Sequence, residues 1–76
     1  MSYLIQLTDV EGCRAFVSAF PNELVTHDLQ DARKFNSFGE GCLYFVGAKK
    51  RIGAALGLTE WQTQKLTAHL KRANNG

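Results

Sequence analysis

Several features are scarce in this chain of 76 residues, and each scarcity removes a class of protein. There is one proline, Pro21, so no Pro-rich linker or polyproline segment interrupts it. No apolar run approaches the roughly 20 residues that a helix needs to cross a bilayer. The opening "MSYLIQLTDVEG" has no basic leader, and acidic residues follow its short apolar run at once, so a cytoplasmic protein is expected. Cys13 and Cys42 form no C-x-x-C pair. Two buried, reduced thiols are expected, with a disulfide left open. The glycines of "SFGEG" and "VGAKK" lack the spacing and the following Ser or Thr of a phosphate-binding loop. No nucleophile stands in sequence near His27–Asp28, and His27, His69, Cys13 and Cys42 match no common zinc spacing. No enzymatic activity, cofactor or metal site is therefore expected.

Apolar side chains and aromatics are plentiful. The chain is 45% hydrophobic, with five Phe, two Tyr and one Trp, the composition of one folded domain, residues 1–76, around a small core. Its formal charge of +2 hides an asymmetry. Residues 1–47 carry Arg14, Arg33 and Lys34 against Asp9, Glu11, Glu23, Asp28, Asp31 and Glu40. Residues 48–76 carry Lys49, Lys50, Arg51, Lys65, Lys71 and Arg72 against Glu60 alone. A basic second half on an acidic first half points to a polyanion or an acidic protein as partner.

The pattern along the chain predicts a small α+β domain. Residues 2–7 read as a β-prone strand. Thr8 and Glu11 form a capping-box pattern, and Val10, Cys13, Phe16, Val17 and Phe20 share a helical face, so an N-terminal helix ending at Pro21 is expected. Residues 22–36 fit two patterns: a short strand at Leu24–Val25 followed by a helix capped by Asp28, or one continuous helix. "NSFGEG" reads as a loop, and "CLYFV" between glycines as a buried strand. A helical pair closes the chain: Ala48–Leu56, then Thr59 to about Arg72. Gly57 is the left-handed bend, Thr59 is the second N-cap, and "RANNG" frays. The layout is thus two or three short strands, an N-terminal helix and a C-terminal helix-turn-helix-like pair. Val10, Phe16, Val17, Phe20, Leu43, Phe45, Ile52, Leu56, Leu58 and Leu66 are the expected core.

The stretch "IGAALGLTEWQTQKL" supplies a small residue in its first helix, Gly53, and a glycine at the turn, Gly57. Ile52, Leu56, Leu58 and Leu66 occupy apolar crossing positions. Over about 20 residues it resembles the helix-turn-helix of bacterial transcription regulators, although Gly53 replaces the usual alanine and Thr63 the usual valine or isoleucine. The resemblance implies a recognition helix exposing Thr59, Glu60, Trp61, Gln64, Lys65 and Ala68 to base edges, with Lys49, Lys50 and Arg51 on phosphates. Lys71 and Arg72 add to the same basic end. It also implies a homodimer on a palindromic site.

Two functions are expected from this reading. The first is a nonenzymatic DNA-binding transcription regulator. The alternative is a protein-binding inhibitor or adaptor, of the size of phage-type accessory proteins, that meets an acidic surface through this basic face. Trp61 separates them: in the core it serves neither, exposed it suits a partner anchor, and on a recognition helix it is unusually bulky.

Overall fold

The computed structural model describes residues 2–73. Strand β1 is Tyr3–Thr8, β2 Arg14–Val17, β3 Val25–Thr26 and β4 Thr67–Arg72; helix α1 is Phe38–Ala55 and α2 Glu60–Gln64. The four strands form one antiparallel sheet in the order β3-β2-β1-β4. Helix α1 lies across one face.

Strand β1 organises the sheet because both of its edges are paired. All six residues pair with β4, from Tyr3 opposite Arg72 to Thr8 opposite Thr67, and Gln6, Leu7 and Thr8 pair with Phe16, Ala15 and Arg14 of β2. The alternation of strands sends Ile5 and Leu7 to the helix side. There they join Ala15, Val17, Phe35, Ala48, Ile52 and Leu66 in the core.

The expected N-terminal helix is absent: residues 8–17 form the end of the first strand, the turn and the second strand of the β1–β2 hairpin, and residues 18–20 lead out of it. Asp9, rather than Thr8, supplies the local cap. Its Oδ1 accepts from the backbone N–H groups of Glu11 and Cys13, both at 2.9 Å. Gly12 sits at φ +84, a left-handed conformation that a helix interior does not contain and a hairpin loop of this kind requires. The helical spacing of Val10, Phe16 and Phe20 was outweighed by the open edge of β1, whose backbone groups need a partner. In consequence Val10 and Phe20, expected in the core, are about half exposed, and Phe16 projects from the opposite face of the sheet. Cys13, expected to be buried, is exposed at the end of the hairpin, Cys42 is half-buried, and both are free.

Pro21 follows Phe20 in a turn closed by the Glu23 N–H donating to the Phe20 carbonyl, where its fixed φ is useful. Val25–Thr26 is the short strand, and Asp28 caps the next turn by accepting from the Gln30 N–H. The expected helix amounts to one 3-10 turn, Leu29–Asp31, after which Ala32 is extended. Residues 32–35 then wedge between the ends of β2 and β1. The Arg33 N–H donates to the Val17 carbonyl, while Tyr3 and Phe35 exchange two backbone bonds of 2.8 and 2.7 Å. This wedge delivers Phe35 to the core at 1% exposure.

The largest correction lies in residues 37–72. "CLYFV" is no strand; it is part of an 18-residue helix that starts at Phe38. Ser37 is its N-cap, with Oγ accepting from the Glu40 N–H at 3.1 Å, so Ser-x-x-Glu marks a helix start within the supposed loop. Glycine is tolerated here because two glycines are sites of close approach. A Cβ on Gly41 would meet Leu70 Cδ2, and one on Gly53 would collide with the Thr63 side chain.

Gly57 does take positive φ, +73. The Leu58 N–H donates to the Gly53 carbonyl and the Gly57 N–H to the Ala54 carbonyl, the Schellman ending of a helix. Thr59 is the cap of α2 through a reciprocal box with Gln62. Yet α2 ends at Gln64, and residues 67–72 are β4. The C-terminal helical pair is thus one long helix, a helix of five residues and a strand. Leu66, Ala68 and Leu70 face inward while Thr67, His69 and Lys71 face out, a period of two that suits the second edge of β1. The expected fraying of "RANNG" falls partly on residues 74–76, outside the described residues.

Candidate functional site

The structure divides the ten residues expected to bind DNA or a partner between two faces. Lys49, Lys50 and Arg51 lie on α1, and Thr59, Glu60, Trp61 and Gln64 on α2 or its cap, with Lys65 just beyond it. Lys71 and Arg72 belong to β4. The recognition surface implied by the helix-turn-helix resemblance is not assembled. Thr59 is committed to capping, and Ala68 pairs with Leu7 and packs on the core.

Between α1 and α2 runs a groove of about 570 Å³, with Val46, Lys50, Ala54, Leu58, Glu60 and Gln64 among its walls. Thr63 forms its floor. Its Oγ1 donates to the Thr59 carbonyl at 2.8 Å, and the absent side chain of Gly53 lets α2 close onto α1. Lys49 braces the same junction: its Nζ donates to the Gln64 carbonyl at 3.2 Å and stands 5.7 Å from the centre of the Phe45 ring. Lys50, Arg51 and Lys65 remain exposed.

The outward side of α1 is unusual for a surface helix. Gly39, Leu43, Val46, Gly47, Lys50 and Ala54 fall within one stripe at helical spacing, and all are exposed. Leu43 is 77% and Val46 75% exposed. Trp61 is 60% exposed and lies two residues from the inward-facing Thr63, hence on the side of α2 away from α1. The core reading of Trp61 is thereby removed. Sequence reasoning missed Leu43 and Val46 as surface residues because a strand interpretation buried them.

The opposite, helix-free face of the sheet carries a second cluster. One row crosses all four strands: Thr26, Phe16, Gln6 and His69. Leu4 and Lys71 form the next row. A groove of about 510 Å³ opens there, with Leu29, Gln30 and Lys34 on one rim and Lys71 and Arg72 on the other. Among the described residues no carboxylate lines it. The alternation "TAHLKR" was the available signal for Lys71 on a sheet face.

A third pocket, of about 300 Å³ at the hairpin end, has Asp9, Cys13 and His27 in its lining. Among the described residues no hydrogen bond joins Cys13 to His27, and the Asp9 carboxylate is used by the turn. No group of three His, Cys, Asp or Glu among the described residues could hold a metal ion. Likewise no helix there is long and apolar enough to cross a membrane. No family model matches this chain, and comparison with curated proteins and with solved structures finds no match.

Proposed function

We propose that this protein is a nonenzymatic, cytoplasmic protein-binding module that docks through its α1–α2 side onto an acidic, amphipathic segment of a larger partner. The observation that carries the reading is the exposure of Leu43, Val46 and Trp61, each more than half accessible. Large apolar side chains left exposed on neighbouring helices mark interaction surfaces, and Trp is enriched among the residues that dominate binding energy. Charge names the partner's chemistry. Lys49, Lys50, Arg51 and Lys65 surround this side against Glu40 and Glu60, so carboxylates flanking apolar anchors fit it, in the manner of a helix laid in a groove.

Duplex reading by a C-terminal recognition helix is not part of the proposal, because α2 has five residues and its successor is a strand. The test starts from affinity capture, after which the captured protein is purified and titrated calorimetrically. Trp61→Ala should weaken binding by about 30-fold or more, the consequence of losing roughly 2 kcal/mol at an anchor. Val46→Ser should weaken it as well, and added salt should loosen the wild-type complex. Affinity unchanged in both variants overturns the reading. A homodimer that Val46→Lys splits overturns it too, since the face would then be covered by its own copy.

A further inference from the structure

The helix-free face of the sheet holds a group that protein docking through α1 and α2 leaves without a task. Gln6 is only 8% exposed, yet its side-chain amide forms no hydrogen bond with any described residue. Buried polar side chains are ordinarily satisfied within the protein. This one is not sealed in either, because its amide borders the groove of about 510 Å³. An amide at the base of a groove offers donors and an acceptor side by side, the complement of a nucleobase edge.

The neighbours of Gln6 extend that chemistry. Phe16 pairs with it across the strands and lines the same groove, supplying an aromatic face on which a planar base can stack. Lys71 and Arg72 stand on the rim and, among the described residues, no carboxylate lines the groove, so the complementary ligand is anionic. A duplex fits poorly, since its base faces are stacked and its pairing edges are occupied. An acidic peptide would satisfy the lysine and arginine but has no planar ring with a donor–acceptor edge for Phe16 and Gln6. We propose that this groove binds a nucleotide of a single-stranded nucleic acid, with the base on Phe16, its edge at Gln6, and the phosphates at Lys71 and Arg72.

The experiment is fluorescence anisotropy of the full chain with labelled RNA and DNA single strands of about 10 nucleotides, near physiological salt, alongside amide NMR mapping. Single strands should bind in the micromolar range and more tightly than the matching duplex, with shifts on β1, β2 and β4. Phe16→Leu should weaken binding roughly 5- to 150-fold, the equivalent of one stacked base. Gln6→Leu should narrow the differences among homopolymers, and Lys71→Ala should lower the salt slope by about 0.7. Trp61→Ala should change nothing, which separates this site from the protein-docking surface. Preference for RNA over DNA, or its absence, reports only whether the ribose hydroxyl is reached; either supports the site. Absence of binding to both strands with the fold intact overturns the proposal. So does equal binding of the duplex, displacement by polyglutamate, or a shift map confined to α1 and α2. Lys71 is exposed on β4, so its variant keeps the test decisive even where Phe16→Leu or Gln6→Leu perturbs folding.

Discussion

Two glycine-to-alanine changes in the same helix should have opposite signs. Gly47 lies on the outward stripe of α1, and a Cβ there meets nothing within 4 Å. Gly47→Ala should therefore gain the difference in helix propensity, about 1 kcal/mol. Gly53 has the same intrinsic gain, but its Cβ would strike Oγ1 and Cγ2 of Thr63 and come within 2.8 Å of Thr63 Cβ. Thr63 cannot easily turn away. It is 9% exposed, and its hydroxyl is bonded to the Thr59 carbonyl. Relief requires α2 to move, and overpacking of this kind costs about 1–3 kcal/mol. The net expectation, gain set against overpacking, is a loss of about 1 kcal/mol, so the two variants should differ by about 2 kcal/mol. In a domain this size that separates their melting temperatures by on the order of 10 °C. Urea titrations of both variants, with Thr63→Ala and the Gly53→Ala/Thr63→Ala double variant, complete the assay. Removing Oγ1 and Cγ2 should offset part of the Gly53→Ala penalty, giving a coupling above about 0.5 kcal/mol. Equal stabilisation by both alanines would refute the close packing of α2 on α1.

The remaining predictions probe other joints of the fold. Phe35→Ala should cost about 3–5 kcal/mol because its ring is 1% exposed, whereas Phe20→Ala, at 48% exposure, should stay within about 1 kcal/mol in urea denaturation. Thr59→Ala removes the reciprocal cap of α2 and should cost about 1 kcal/mol. Gly57→Val forces a β-branched residue to φ +73; a melt as stable as wild type would contradict the Schellman ending of α1. With thiol-reactive probes, exposed Cys13 should be modified faster than half-buried Cys42 in the folded protein, and equally fast after denaturation.

The parts of the fold legible in the sequence are those set by local chemistry. β1 could be read from its own β-prone residues. Gly57 and Thr59 were legible because a left-handed helix ending and a hydroxyl cap are local solutions to unsatisfied backbone groups. Pairing across the sheet was not legible in the same way. Residues 8–20 offered a helical face and a capping pattern, and only the open edge of β1 decided against them. Residues 67–72 were drawn into a helix for a similar reason: Leu66 and Leu70 fit helical spacing as well as they fit alternation through Ala68. What distinguishes the two is the unpaired side of β1, a partner remote in sequence that only the folded sheet brings alongside. The candidate site suffered in proportion. Lys71 and Arg72 were picked out for their charge, but the strand carries Lys71 to the opposite face of the sheet from Lys50 and leaves Arg72 at its far end, paired with Tyr3.

The misreading of "CLYFV" and the proposed function have one physical origin. A helix that served only to cover the sheet would alternate apolar and polar faces, and its period would reveal it. In α1 the inward face, with Gly41, Ala48 and Ile52 buried, is partly built from small residues that let the helix approach Leu70 and Thr63. The outward face holds Leu43 and Val46. Apolar character is thus spread around the helix, erasing the periodic signal and leaving a run that resembles a buried strand. Folding of this chain alone gives no reason for Leu43 and Val46 to be apolar where they stand, since water covers them. Replacing both with Ser should therefore leave stability within about 1 kcal/mol while weakening capture of the partner. A large loss of stability instead would mean that these side chains are buried in the isolated chain, and the surface assigned to docking would not exist.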